Sequence, residues 1–114
     1  MVLGDIATVR SGDKGDTAQI CVIARNHEDF RKLVREVTCD RVRSHLSRLP
    51  IGRIARFEVP DLFALNFVLE GALRGGVTRS LALDPHGKTL GLQLLDMMID
   101  AGVRRAAADE ETSR

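Results

Sequence analysis

Apolar and polar residues alternate most clearly from Thr17 to Arg25, where Ala18, Ile20, Val22 and Ala24 share one face and Gln19, Cys21, Ile23 and Arg25 the other. This is the two-residue period of a β-strand. Met1 to Arg10 carries a looser version, with Ile6 and Thr8 on one side and Ala7 and Val9 on the other, and predicts a first strand. Between the two, Ser11-Gly12-Asp13-Lys14-Gly15-Asp16 reads as a hairpin loop longer than the favoured two-residue turn.

From His27 the period becomes helical. Phe30, Leu33, Val34 and Val37 recur at spacings of three and four, with Arg31, Lys32, Arg35 and Glu36 on the remaining faces. Thr38 supplies a capping hydroxyl for a second helix, whose stripe Val42, His45, Leu46 and Leu49 runs to Pro50 and Gly52. Ile54 to Val59 alternates again as a third strand, closed by Pro60.

Asp61 caps an expected helix from Leu62 to Leu73, apolar on most of its circumference, with a polar stripe of Asn66, Glu70 and Arg74 and an end at Gly75-Gly76. Val77 to Asp84 predicts a fourth strand, Asp84-Pro85-His86-Gly87 a turn, and Leu90, Leu94, Leu95, Met98 and Ile99 a last helix ending near Gly102. The pattern stops there. Residues 1–103 read as a single domain and 104–114 as a frayed tail.

This order predicts an α+β two-layer sandwich of the ferredoxin-like class, with a four-stranded mixed sheet and helices mainly on one face. Helical connections would make parts of the sheet parallel if the strands they join are neighbours. The 114 residues suffice for one core without staples. A net charge of +1 exerts little pull on a polyanion, and four phenylalanines without Trp or Tyr form no stacking run, so nucleic acid is not an expected partner. Leu62 to Leu73 is too short to cross a bilayer and no signal peptide opens the chain, so a cytoplasmic location without membrane contact is expected. Cys21 and Cys39 lack CxxC spacing and read as reduced thiols.

The candidate site is the stretch Ser11, Gly12, Asp13, Lys14, Gly15 and Asp16, joined by Asn66 and Arg79. Its chemistry points several ways. Backbone N–H groups with Ser11 and Lys14 suit a phosphate or carboxylate, Asp13 and Asp16 suit a hard cation, and a plain solvated hairpin explains the same residues. As an enzyme site, Lys14 would hold an anionic group and Asp13 or Asp16 act as base, so Asp13, Lys14 and Asp16 are the catalytic candidates. Burial of one aspartate beside Asn66 would favour that reading, and exposure of both would weaken it. No metal-ligand spacing is present, and no cofactor is indicated. Gly87-Lys88-Thr89 lacks the upstream glycine of a P-loop, and no nucleophile elbow surrounds Ser80 near Asp84 and His86.

Ser11 to Asp16 after a short strand, then Leu65-Asn-Phe-Val-Leu-Glu-Gly-Ala-Leu-Arg-Gly-Gly-Val77, Ser80-Leu-Ala-Leu-Asp84 and Gly87-Lys88, together resemble the small C-terminal domain of the acyclic terpene utilisation (AtuA-like) family. The resemblance covers most of the chain. It implies a ferredoxin-like fold, a setting in bacterial catabolism of acyclic terpenes or acyl-CoA-type compounds, and a domain that commonly follows a much larger one. An accessory subunit pairing with itself as a homo-oligomer, or with a larger AtuA-like protein, is the first expectation, through the helix Leu62 to Leu73 or a sheet edge. An enzyme or half-site binding an acidic or thioester substrate is the alternative. Sensing of a small ligand at a dimeric sheet interface is a third class, from fold analogy.

Overall fold

The strand with the clearest alternation becomes an interior member of a four-stranded sheet. In the computed structural model, which describes residues 1–73 and 90–99, the strands are β1 (Ala7–Lys14), β2 (Thr17–Ala24), β3 (Ile54–Val59) and β4 (Ala64–Leu69), in the order β1-β2-β4-β3. Every neighbouring pair is antiparallel. The helices are α1 (His27–Glu36), α2 (Cys39–His45) and α3 (Leu90–Leu94).

Among the described residues the sheet is therefore not mixed, and the connectivity explains why. β2 and β3 are both antiparallel to β4, so they run parallel to each other, but β4 lies between them. The helix-linked strands form a split β-α-β unit. The α+β, ferredoxin-like class holds with an antiparallel sheet.

One sheet face carries the core. Ala18, Ile20 and Val22 of β2 and Leu65, Phe67 and Leu69 of β4 are buried beneath Phe30 and Leu33 of α1, Val42 of α2, and Leu90 and Leu94 of α3. Burying each large side chain contributes roughly 1.5–3 kcal/mol. Asn26 Oδ1 accepts the Asp29 amide at 2.8 Å and Thr38 Oγ1 the Arg41 amide at 3.2 Å, so both of the first two helices start on a side-chain cap. Arg56 Nη1 donates to the carbonyls of Val34 and Val37 (3.0 and 2.9 Å), and Arg41 Nη1 donates to that of Glu36 (3.0 Å). These two guanidinium groups satisfy carbonyls that the end of α1 leaves unpaired.

The expected helix Leu62 to Leu73 is a strand. Pro60–Leu62 makes one 3-10 turn, Phe63 takes a left-handed φ of 54°, and β4 then runs extended between β2 and β3. Its apolar circumference reflects a central strand whose two faces both carry hydrophobic residues, Leu65, Phe67 and Leu69 on one and Ala64 and Val68 on the other.

The last helix stops at Leu94. Residues 95–99 run instead beside the N-terminus, where Leu3 N donates to Met97 O at 2.8 Å, Ile99 N to Met1 O at 2.9 Å, and Val2 bridges Met98. Met1 to Ile6 are thus not part of β1. α2 also ends early, at His45 rather than at Pro50. The expected strand Val77 to Asp84, the turn after it and the tail 104–114 lie outside the described residues.

Candidate functional site

The six-residue stretch does not form a loop. β1 continues to Lys14, which pairs with Thr17, and only Gly15 and Asp16 reverse the chain. Gly15 has φ 63° as the first of the two central residues, the position that a type II′ hairpin turn reserves for glycine. The Asp16 carbonyl accepts the Leu73 amide at 3.0 Å, fixing the turn against the end of the β4 segment.

Strand alternation then divides the candidates between two faces. Ser11 and Asp13 pair with Ile20 and Ala18 on the helix-covered side, whereas Gly12 and Lys14 pair with Gln19 and Thr17 on the other. Ser11 Oγ accepts the amide of Gly91 at 2.7 Å, so its hydroxyl holds the start of α3 to β1. Asp13 and Asp16 are both exposed. Asn66 shares a face with Gly12 and Lys14 but not with Ser11 or Asp13. Along and across the sheet, the backbones of Lys14 and Asn66 are separated by about 17 Å, from a rise of about 3.4 Å per residue and about 4.8 Å per strand. No small carboxylate or phosphate spans that distance. Arg79 lies outside the described residues.

The face that carries Asn66 is a more coherent unit than the hairpin tip. Successive pairings place Arg10, Cys21, Asn66 and Phe57 in one row across all four strands, flanked by the row Thr8, Ile23, Ala64, Val59 and the row Gly12, Gln19, Val68, Ala55. All the described helices pack on the opposite side, where the core residues lie. Phe57 is 53% exposed. On β3 the alternation is inverted with respect to the core: Ala55, Phe57 and Val59 face away from the helices, while Arg56 and Glu58 face towards them. Among the described residues, the strands contribute Arg10 and Lys14 to this face and no carboxylate, and Ala64 near its middle is buried.

Sequence reading singled out Asn66 on this face but missed Phe57, Arg10 and Cys21. The inverted polarity of β3 was the available signal, and it needed the register of β3 against β4 to be seen.

Elsewhere, an open depression of about 280 Å³ lies between α2 and residues 96–98, lined by Arg41, Ser44, His45, Asp96, Met97 and Met98. Its cation is already engaged: Arg41 Nη1 lies 2.7 Å from Glu36 Oε1, and Nη2 donates to Met98 O. His45 Nε2 is 3.0 Å from Gln93 O. Cys21 and Cys39 are both free thiols, and Cys39 Sγ contacts Ile54 O at 3.9 Å. Among the described residues, no three His, Cys, Asp or Glu side chains group as metal ligands, and no helix is long and apolar enough to cross a membrane.

A family model described as the AtuA ferredoxin-like domain matches residues 1–100. No curated protein and no solved structure matches the chain.

Proposed function

The chain belongs to the AtuA ferredoxin-like domain family, and from that premise we propose that it is an accessory interaction domain acting in the cytoplasm. It pairs with a larger AtuA-like protein and with itself, in the bacterial breakdown of acyclic terpenes or acyl-CoA-type compounds. The observation that carries this reading is the inverted alternation of β3. A one-residue difference in register would have buried Ala55, Phe57 and Val59, yet they stand on the side that no described element covers. With Ile23 and Val68 they make an apolar surface bordered by Arg10 and Lys14. Such a surface suits a partner that presents apolar side chains edged by carboxylates.

The enzymatic alternative, a substrate site at Ser11 to Asp16, draws no support from two exposed aspartates or from a serine committed to the Gly91 amide.

Titration calorimetry tests the reading, with the larger AtuA-like protein of the same genome as titrant. Wild-type protein is expected to bind it, and Phe57→Asp at least tenfold more weakly, because a charge placed in an apolar contact costs more than about 1.4 kcal/mol. Absence of binding to wild type, or a Phe57→Asp variant that binds equally well, contradicts it.

A further inference from the structure

The outer edge of β3 has a polarity that can be worked out residue by residue. The Glu70 amide donates to Arg53 O at 2.9 Å, so residue 53 turns its backbone groups towards β4, and residues 55, 57 and 59 do the same. Ile54, Arg56 and Glu58 then turn theirs outwards. Cys39 Sγ contacts Ile54 O on that outer side, which closes one end of the edge, and Pro60, without an N–H, closes the other. Between them lies the tripeptide Arg56-Phe57-Glu58. Among the described residues, no backbone partner meets Arg56 or Glu58 on this side.

We propose that the chain forms a two-fold homodimer in which β3 pairs antiparallel with β3 of a second copy, with Phe57 on the axis. This rests on the reading of the domain as an assembly module and names the surface it uses for self-pairing. In this register Arg56 and Glu58 of the second copy form a hydrogen-bonded pair, and symmetry repeats it, giving four backbone hydrogen bonds. The same two pairs bring opposite charges face to face at both ends, and cross-strand pairs of this kind are stabilising. Phe57 meets Phe57 of the second copy at a non-hydrogen-bonded position, where Cα atoms approach to about 4.5 Å. Ala55 lies opposite Val59. The two four-stranded sheets become one of eight strands, and the faces that carry Phe57 become continuous across the axis.

The alternatives are worse on the same grounds. Centring the axis on Arg56 sets Arg56 against Arg56 and needs the Ile54 carbonyl that Cys39 already contacts. Centring it on Glu58 sets Glu58 against Glu58 and needs an N–H from Pro60. Pairing the two Phe57 faces instead would bring Arg10 and Lys14 of each copy together without a carboxylate from any described strand on that face. The sequence Arg-Phe-Glu is complementary to itself when antiparallel, which is why the occupant is a second copy rather than an unrelated strand.

Arg56 and Glu58 also lie 3.4 Å apart within one copy, with side chains 22% and 47% exposed. Glu58 is the safer residue to change, because Arg56 also caps α1.

The experiment is sedimentation equilibrium on the wild type, Glu58→Arg, Arg56→Glu and an equimolar mixture of the two variants. Wild type is expected at twice the chain mass of 12.5 kDa. Each variant alone sets like charges opposite each other and is expected to dimerise at least tenfold more weakly. The mixture restores both pairs and is expected to recover the dimer as a heterodimer. Phe57→Cys, oxidised and mapped by peptide mass, is expected to cross-link position 57 to itself, and it keeps the proposal testable if Arg56→Glu does not fold. A monomeric wild type overturns the proposal, and so does a dimer indifferent to Glu58→Arg with no 57-to-57 linkage. Either result leaves binding to the larger AtuA-like protein to be judged by calorimetry, so the two failures are distinguishable.

Discussion

Gly91→Ala measures whether Ser11 is a ligand group or part of the scaffold. α3 crosses β1 so closely that a Cβ at position 91 would overlap Ser11 Oγ and lie 3.1 Å from Val9 Cγ2. Overpacking of this kind costs about 1–3 kcal/mol, and losing the 2.7 Å bond from the Gly91 amide to Ser11 adds about 1 kcal/mol. Alanine's better helix propensity returns about 1 kcal/mol. The net loss is about 2 kcal/mol, or a fall in Tm of about 8 °C for a domain near 100 residues. In a Ser11→Ala background the overlapping oxygen is gone. Only the Val9 contact remains, and the same substitution is expected to cost about 0.5 kcal/mol or less. The coupling between the two positions is therefore about 1.5 kcal/mol. Urea unfolding followed by far-ultraviolet circular dichroism is the assay, because the chain has neither Trp nor Tyr. Additive effects, with a coupling below about 0.5 kcal/mol, would refute the claim that Ser11 serves to seat α3.

The register of β4 predicts a two-residue period in mutational cost. Leu65→Ala, Phe67→Ala and Leu69→Ala, each in the core, should lose about 3–5 kcal/mol, whereas Asn66→Ala and Val68→Ala should lose about 1 kcal/mol or less. A helical period of cost through this segment, measured by the same unfolding assay, would falsify the strand assignment. The two glycines of the hairpin should behave oppositely. Gly15→Ala meets no atom within 4 Å but must hold φ 63°, and is expected to cost about 1–2 kcal/mol from the backbone alone. Gly12→Ala, in β1 with equal room and no such angle, should be neutral or gain up to about 1 kcal/mol.

Where one face is buried and the other wet, the residues disclosed the structure. β2 alternates because Ala18, Ile20 and Val22 meet the helices, the capping side chain of Thr38 marks the start of α2, and β3 spans the expected Ile54 to Val59. Reading failed where the local pattern is degenerate. A central strand with apolar residues on both faces looks like a buried helix, and the long apolar run of residues 62–73 predicts one. β1 is the outer strand among those described, and its pattern is weak for a different reason. From Arg10 to Lys14 β1 is polar on both faces, so no hydrophobic period marked it as strand, and its glycines suggested a loop. The candidate site suffered accordingly. Ser11 and Asp13 are close to Lys14 in sequence, but a strand sends them to the opposite side. Phe57 and Arg56 became informative only once the pairing of β3 with β4 showed which side each one faces.

Light scattering coupled to size exclusion, on the protein alone and mixed with the larger AtuA-like protein, tests most directly the claim that the Phe57 side and the β3 edge of this sheet are contact surfaces. A dimer alone and a stoichiometric complex in the mixture are expected, with the complex at least tenfold weaker for Phe57→Asp. A protein that elutes as a monomer alone and unassociated in the mixture would contradict it.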